Sequence, residues 1–152
     1  MKEVTLDIAV TADVAVLWQD DRLYLLDQRL LPQREVFIEC VDAATTAEAI
    51  GAMVVRGAPA IGIAAAYGVV LAARQRFSQD AASWRHALED DLQVLAGSRP
   101  TAINLFWAIA RMRELLSGLT ATNPVPALLA EAEAIHQRDR ADNRRMGDYG
   151  AS

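Results

Sequence analysis

The sequence predicts an α+β fold, in which a small antiparallel N-terminal β-sheet is followed by a helical bundle. Two observations predict it. The first forty residues hold β-rich runs separated by turn signals, and after Asp42 the spacing of apolar residues changes from about two to about 3.6. A chain of 152 residues is long enough to bury the core of one domain. We therefore expect a single domain over residues 1–150, with the sheet in 1–43 and the bundle in 44–147.

Three strands are predicted in the first part of the chain. The β-rich runs 14–18 and 22–27 are separated by the polar residues 19–21 (Gln-Asp-Asp), a pattern that favours a hairpin. Pro32 then interrupts the chain, and the run 35–41 (EVFIECV) alternates sufficiently to form a third strand.

The next two elements are predicted to be helices. A short helix over 47–54 follows Thr45 and Thr46, which are both plausible N-caps. A long helix is predicted from Pro59 to about residue 77, because a proline at the helix start lacks only an N–H that would be unbonded there. Residues 57–73 carry no charge, but they are fewer than the roughly 20 strongly apolar residues of a membrane span. We expect a buried helix and no membrane partner.

Three further helices are predicted in the second half. Ser78 or Asp80 is expected to cap the first of them, which ends at Gly97. The next is introduced by residues 99–101 and continues to about 116, and the last begins at 123–124 and becomes strongly charged beyond residue 137. The apolar stripes predicted for the first two are Trp84, Leu88, Leu92 and Leu95, and Ile103, Phe106, Trp107 and Ala110.

Composition excludes several classes of protein. With 15 cationic and 20 acidic side chains the net charge is −5, so no basic field would attract nucleic acid. The single cysteine, Cys40, excludes an internal disulfide, favours a cytoplasmic location and is expected to be a small buried hydrophobe. His86 and His136 have no partner at metal-ligand spacing, so we expect exposed helical positions and no metal site. The acidic run 89–91 is interpreted as a solvated helix face.

Two arginines directly precede predicted helix starts. Arg56 is followed by Gly57, Ala58 and a proline, and Arg99 is followed directly by a proline. Free N–H groups at a helix N-terminus favour anions, and small residues leave the backbone accessible. A guanidinium can add bidentate bonds to phosphate or carboxylate. However, a glycine and proline between two helices also form a common helix stop and restart without a ligand, so both interpretations remain open at this level.

The segments MVVRGAPAIGIAAAYGVVLAAR (53–74) and SRPTAINLFWAIARM (98–112) closely resemble the methylthioribose-1-phosphate isomerase family of methionine salvage. The run LWQDDRLYLLDQRLLP is similar to the opening strands of that family, so the resemblance covers essentially the whole chain. It implies that 5-methylthioribose 1-phosphate is isomerised to 5-methylthioribulose 1-phosphate without a metal or other cofactor. By this resemblance Arg56, Gly57 and Ala58 would contact the sugar-phosphate substrate, through its phosphate, and Arg99 would be a second contact.

Members of that family are much longer than this chain and tend to form dimers. Their second, Rossmann-like domain carries a cysteine in a Thr-His-Cys-Asn context, an aspartate proposed as acid/base and an Asn-Lys pair, none of which occurs here. The resemblance therefore implies an N-terminal domain that holds half of a substrate site and no catalytic residue, with the Rossmann-like domain missing after residue 152. We expect this chain alone to be inactive, because acid–base catalysis needs a group within reach of the migrating proton.

Two other functions stay open. The same superfamily includes translation-factor relatives, so a non-catalytic regulatory or interaction module is one alternative, and a ribose 1,5-bisphosphate isomerase is another. In either case we expect exposed apolar surface where a missing C-terminal domain would dock.

Overall fold

A computed structural model describes residues 1–11, 14–120 and 122–150, with side chains described up to residue 141. It confirms the predicted α+β class, since a four-stranded antiparallel sheet precedes five helices in the described part of the chain. The strands are β1 (Lys2–Val4), β2 (Val16–Gln19), β3 (Arg22–Leu26) and β4 (Phe37–Cys40), in the sheet order β1-β4-β3-β2.

The predicted hairpin joins β2 and β3. Its two turn residues, Asp20 and Asp21, have φ of 54° and 60°, the left-handed conformations that a tight two-residue hairpin requires. Strand β1 was not predicted from the sequence. It pairs with β4, where the buried carboxylate of Glu39 accepts from Lys2 at 2.9 Å and Arg22 at 2.7 Å. The hydrogen bond from Lys2, then that from Arg22, holds the pKa of Glu39 below its ordinary value against its burial.

Helix α1 (Ala43–Gly51) begins earlier than predicted. The N-cap is Asp42, not Thr45 or Thr46, and its carboxylate accepts from the backbone N–H of Thr45 at 2.8 Å. The Thr45 hydroxyl in turn accepts from the backbone N–H of Asp42 at 3.2 Å, which closes a capping box. A carboxylate three residues upstream thus takes the role that the sequence reading assigned to the threonines.

Helix α2 (Ala58–Gln79) is the centre of the bundle, as predicted. Every residue from 61 to 73 is buried, and the helix packs against each of the other four. It is long and apolar enough to cross a membrane, but 72% of its most apolar window is buried inside the fold, as expected of a core helix. Gly68 allows close packing, because a Cβ there would lie 2.9 Å from Thr46 Cγ2.

Helix α3 (Trp84–Ala96) buries the stripe predicted for it and ends at Gly97. Its N-cap is Ser83 rather than Ser78 or Asp80, and Asp80 accepts from the Ser83 hydroxyl at 2.8 Å. The acidic run is only partly solvated, because Asp91 is buried and paired with Arg76 of α2 at 2.8 Å.

Helix α4 (Ile103–Gly118) faces the opposite way from the prediction. Ile103 is 80% exposed, Phe106 44% and Trp107 49%, and Ala110 is exposed as well. The apolar residues that α4 buries are Leu105, Ala108, Ile109, Met112 and Leu116. Helix α5 (Val125–Gly150) completes the bundle. The exposed face of α4, defined by Ile103, Phe106, Trp107 and Ala110, agrees with the expectation of uncovered apolar surface.

Candidate anion-binding site

The structure brings Arg56 and Arg99 together, although they are 43 positions apart in the sequence. Both line one open cavity of about 390 Å³, which we call the arginine cavity. Ala58 and Thr101 also line it, as do Ile61 of α2 and residues 102–104 at the start of α4. Whether the two arginines converge could not be decided from local sequence, and here they do.

Two helix starts contribute to this cavity. Gly57 is the N-cap of α2 and Ala102 the N-cap of α4, and neither start has a side-chain cap hydrogen bond. The first N–H groups of a helix lack intrahelical acceptors and carry the positive end of the helix dipole. Uncapped N-termini of α2 and α4 therefore add positive potential on the same side as the two guanidinium groups.

The charges in the arginine cavity are not compensated by the protein. No carboxylate lines the cavity, and within the described part of the chain neither Arg56 nor Arg99 forms an ion pair. The Nη1 atom of Arg99 is buried and lacks a hydrogen-bond partner among the described residues. A buried donor without a partner is costly, so an anion that accepts from Arg99 would remove that cost.

Gly57 lies on the other side of the α2 start. It lines a neighbouring cavity of about 200 Å³ with His136 and Arg140, not the arginine cavity. A Cβ at position 57 would meet nothing within 4 Å, so packing does not require a glycine there. Of the four residues predicted to contact substrate, Arg56, Ala58 and Arg99 line the arginine cavity. Gly57 does not line it, but it is the N-cap of α2 between Arg56 and Ala58.

Close packing of α2 against α4 produces the convergence. Gly62 faces the first turn of α4, where an added Cβ would lie 3.0 Å from the Asn104 carbonyl oxygen. Any larger side chain would push the α4 start, and with it Arg99, away from α2. The close approach of the two helices at Gly62 therefore also affects where Arg99 lies relative to α2.

His136 is buried, and the expectation of an exposed position is wrong for it, whereas His86 is exposed as expected. The His136 Nδ1 atom lies 2.8 Å from the hydroxyl of Tyr67, whose ring stacks on Trp18 with centroids 5.1 Å apart. Burial lowers the pKa of His136 to about 4 and raises that of Tyr67, so both are neutral near pH 7. The pair joins α2 to α5, and its two residues are 69 positions apart. No local sequence pattern could therefore have predicted this contact.

Other groups that could react are protected. Cys40 is fully buried, and burial raises the pKa of its thiol to about 12, which leaves it unreactive at neutral pH. Among the residues that the structure describes, no group of three or more His, Cys, Asp or Glu side chains could hold a metal ion. The arginine cavity is thus suited to an anion, and none of the described residues that line it carries a carboxylate, an imidazole or a thiol.

The chain is similar to several known proteins. Residues 54–152 match the Initiation factor 2 subunit family. The chain is 57% identical over 144 residues to the methylthioribose-1-phosphate isomerase of Methylococcus capsulatus, covering 95% of this chain and 41% of that protein. It is 58% identical over 138 residues to the enzyme of the same name from Pseudomonas syringae pv. syringae, covering 90% and 38%.

Two solved structures are also similar. The 5-methylthioribose 1-phosphate isomerase from Pyrococcus horikoshii matches with a TM-score of 0.83 and 35% identity, over 90% of this chain and 39% of that one. The delta subunit of translation initiation factor eIF-2B from A. fulgidus matches with a TM-score of 0.81 and 40% identity, over 90% and 40%. The chain thus spans about 40% of the length of the relatives it matches.

Proposed function

We propose a function from one premise: the chain belongs to the Initiation factor 2 subunit family. It is the N-terminal part of an aldose–ketose isomerase that converts 5-methylthioribose 1-phosphate to 5-methylthioribulose 1-phosphate in methionine salvage. Relatives that are 55–58% identical carry the name of that isomerase. The observation that carries the proposal is the arginine cavity, where two unpaired guanidinium groups and two uncapped helix starts face one space.

In this proposal the arginine cavity holds the phosphate of the substrate. Arg99 donates from its buried, unpartnered Nη1, Arg56 donates from the exposed rim, and Ala58 offers the start of α2. Each charge-assisted hydrogen bond is worth about 1.5–3 kcal/mol, and each helix start adds about 0.3–1 kcal/mol. These contacts position the sugar without moving a proton themselves.

Acid–base catalysis is assigned to a Rossmann-like domain beyond residue 152. The neutral His136 is hydrogen-bonded to Tyr67 and lines a different cavity from the two arginines, so we give it no catalytic role. We infer a cytoplasmic homodimer for the full-length protein, with a sugar phosphate as its ligand and without nucleic acid, membrane or cofactor. The 152-residue chain alone should not turn over substrate.

The test is steady-state turnover of 5-methylthioribose 1-phosphate by the full-length protein. Arg56→Ala should lower kcat/KM by about 10- to 100-fold, the loss expected for one charge-assisted hydrogen bond. Arg113→Ala is the matched control, because Arg113 is exposed on α4 and its ion-pair partner among the described residues is the exposed Glu89 at 2.6 Å. Equal kinetics in the two variants would remove the assignment of Arg56.

A second candidate function is a non-catalytic subunit. It is favoured by the similarity to the delta subunit of initiation factor eIF-2B, which is 40% identical with a TM-score of 0.81. The sequence beyond residue 152 separates the two candidates, because the isomerase needs the Thr-His-Cys-Asn cysteine and the acid/base aspartate. If both are absent and the full-length protein turns over neither 5-methylthioribose 1-phosphate nor ribose 1,5-bisphosphate, the non-catalytic function is supported.

A further inference from the structure

We propose that Gly51, the last residue of α1, is a positioning residue that sets the distance between Arg56 and Arg99. The inference rests on the proposed function, because it concerns the arginine cavity to which we assign the substrate phosphate. No residue of α1 is among the described residues that line this cavity. Gly51 therefore acts through the two arginines and not through a contact of its own with the ligand.

Gly51 lies directly against the segment that carries Arg99. We call residues 97–102, between α3 and α4, the Arg99 turn. A Cβ at position 51 would lie 3.2 Å from the carbonyl oxygen of Ser98, whereas ordinary contacts of a Cβ atom are 3.4–4 Å long. A residue without a side chain therefore lets the Arg99 turn approach the end of α1 this closely.

The Arg99 turn is held together by its own hydrogen bonds. The backbone N–H and the hydroxyl of Ser98 both donate to the Leu95 carbonyl of α3, at 3.1 and 2.6 Å. The Ala102 N–H donates to the Arg99 carbonyl at 3.0 Å. Because these bonds link Ser98 to the residues around it, a displacement of its carbonyl also displaces the Arg99 backbone.

The chain between α1 and Arg56 is fixed as well. Met53 has a φ of 66°, the left-handed conformation with which a helix commonly ends. Its N–H donates to the Ile50 carbonyl at 3.1 Å. Val54 and Val55, which follow, are fully buried. The end of α1 therefore determines where the Arg56 backbone lies.

The contact between Gly51 and Ser98 thus joins two fixed segments, one that leads to Arg56 and one that contains Arg99. Its length sets the spacing of two guanidinium groups that must both reach the oxygens of one phosphate. Gly62 holds the start of α4 against α2, whereas Gly51 holds the Arg99 turn against α1. A methyl group at position 51 would move the Arg99 turn by a few tenths of an ångström.

The experiment uses the full-length protein and measures the binding of inorganic phosphate by calorimetry and the steady-state turnover of 5-methylthioribose 1-phosphate. Gly51→Ala should weaken phosphate binding and raise KM by about three- to tenfold, less than the roughly 100-fold cost of a 1 Å misplacement. The value of kcat should stay nearly unchanged, because the phosphate is bound alike in the ground state and the transition state. Gly51→Val should give a larger loss, because its side chain is larger.

Gly118→Ala is the matched control. Gly118 ends α4 as Gly51 ends α1, and both are exposed, but a Cβ at position 118 would meet nothing within 4 Å. Alanine is a better helix former than glycine, so neither alanine variant should lower the free energy of unfolding appreciably. Urea unfolding checks this. A purely structural role of Gly51 would lower stability and leave KM unchanged.

A joint loss of phosphate affinity and rise in KM in Gly51→Ala, absent from Gly118→Ala, supports the inference. Unchanged phosphate affinity in Gly51→Ala, or an equal loss in Gly118→Ala, overturns it and leaves the isomerase function in place. A wild type that binds phosphate without turnover overturns the proposed function, while the phosphate affinities of the variants still decide the inference. A wild type that binds no phosphate overturns both.

A second variant tests the same contact if Gly51→Ala fails to fold. Ser98→Ala frees the Arg99 turn from its 2.6 Å hydrogen bond to the Leu95 carbonyl. It should weaken phosphate binding and raise KM at nearly constant kcat, and unchanged phosphate affinity in this variant would overturn the inference.

Discussion

The two ends of helix α2 both carry an arginine, but the surroundings differ. At the C-terminal end, Arg76 donates to Asp91 of α3 from Nε at 2.8 Å and from Nη2 at 3.1 Å. Its positive charge is therefore paired with a carboxylate of the same fold. At the N-terminal end, Arg56 and the nearby Arg99 form no ion pair within the described part of the chain. The same residue type is a structural link in one place and, in our proposal, a substrate-binding group in the other.

The comparison shows which polar groups the fold needs for itself. In the middle of α2, Tyr67 is paired with His136, and at the C-terminal end Arg76 is paired with Asp91. At the N-terminal end, Arg56 and Arg99 lie near each other and form no ion pair with any described residue. Like charges held close together repel, and in our proposal the phosphate of the substrate supplies the missing negative charge.

The largest contrast is expected in stability. Arg76→Ala should lower the free energy of unfolding by about 3 kcal/mol, because it leaves the mostly buried Asp91 carboxylate without its partner. Arg56→Ala should change it by less than about 0.5 kcal/mol, as for an exposed residue without partners. Urea unfolding of both variants measures the difference. Similar losses in the two would mean that Arg56 also has a structural role.

A smaller effect on stability is expected from the pair of Tyr67 and His136 in the middle of α2, and it depends on pH. The folded-state pKa of His136, about 4, lies below its ordinary value of 6.5, so below pH 6.5 the unfolded chain binds a proton that the folded chain does not. Stability is therefore full above pH 6.5 and should fall by about 2 kcal/mol on acidification towards pH 4.5. Urea unfolding across this range gives the slope.

Two histidine variants test whether His136 causes this dependence of stability on pH. His136→Gln should remove this part of the pH dependence, although the loss of its contact with Tyr67 lowers stability at every pH. His86→Gln should keep the wild-type slope, because His86 is exposed. An unchanged slope in His136→Gln would show that His136 is not held neutral by burial.

The smallest effect concerns the packing that brings the arginines together. Gly62→Ala should cost about 1–2 kcal/mol, since the new methyl group lies 3.0 Å from a backbone carbonyl that cannot move without shifting α4. It should also raise KM in the full-length protein, because Arg99 shifts with α4. Gly68→Ala is the matched control, with a methyl group 2.9 Å from Thr46 Cγ2 and away from the arginine cavity. Gly68→Ala should lower stability without changing KM. A rise in KM for both variants would show that the rise does not come from a shift of the α4 start.

Local sequence was sufficient for much of this fold. The tight hairpin, the buried α2 and the inward stripe of α3 follow from turn chemistry and apolar spacing. Strand β1 was missed because it is three residues long and is held by contacts to β4, 33 to 37 positions away. Helix α4 was oriented wrongly because it is apolar on two sides, and the spacing alone does not tell which side faces α2.

The candidate site was predictable only residue by residue. An arginine before a helix start is visible in the sequence, and so Arg56 and Arg99 were each identified. Their convergence depends on the distance between α2 and α4, which Gly62 sets through a contact with Asn104. Trp107 was assigned to the core stripe of α4, and its place in a cavity became evident only when the orientation of that helix was known.

The most direct test of the central claim is a crystal structure of the full-length protein with 5-methylthioribose 1-phosphate bound. The account predicts phosphate oxygens within hydrogen-bond distance of both the Arg56 and the Arg99 guanidinium groups, at the starts of α2 and α4. A phosphate bound away from both arginines would contradict it.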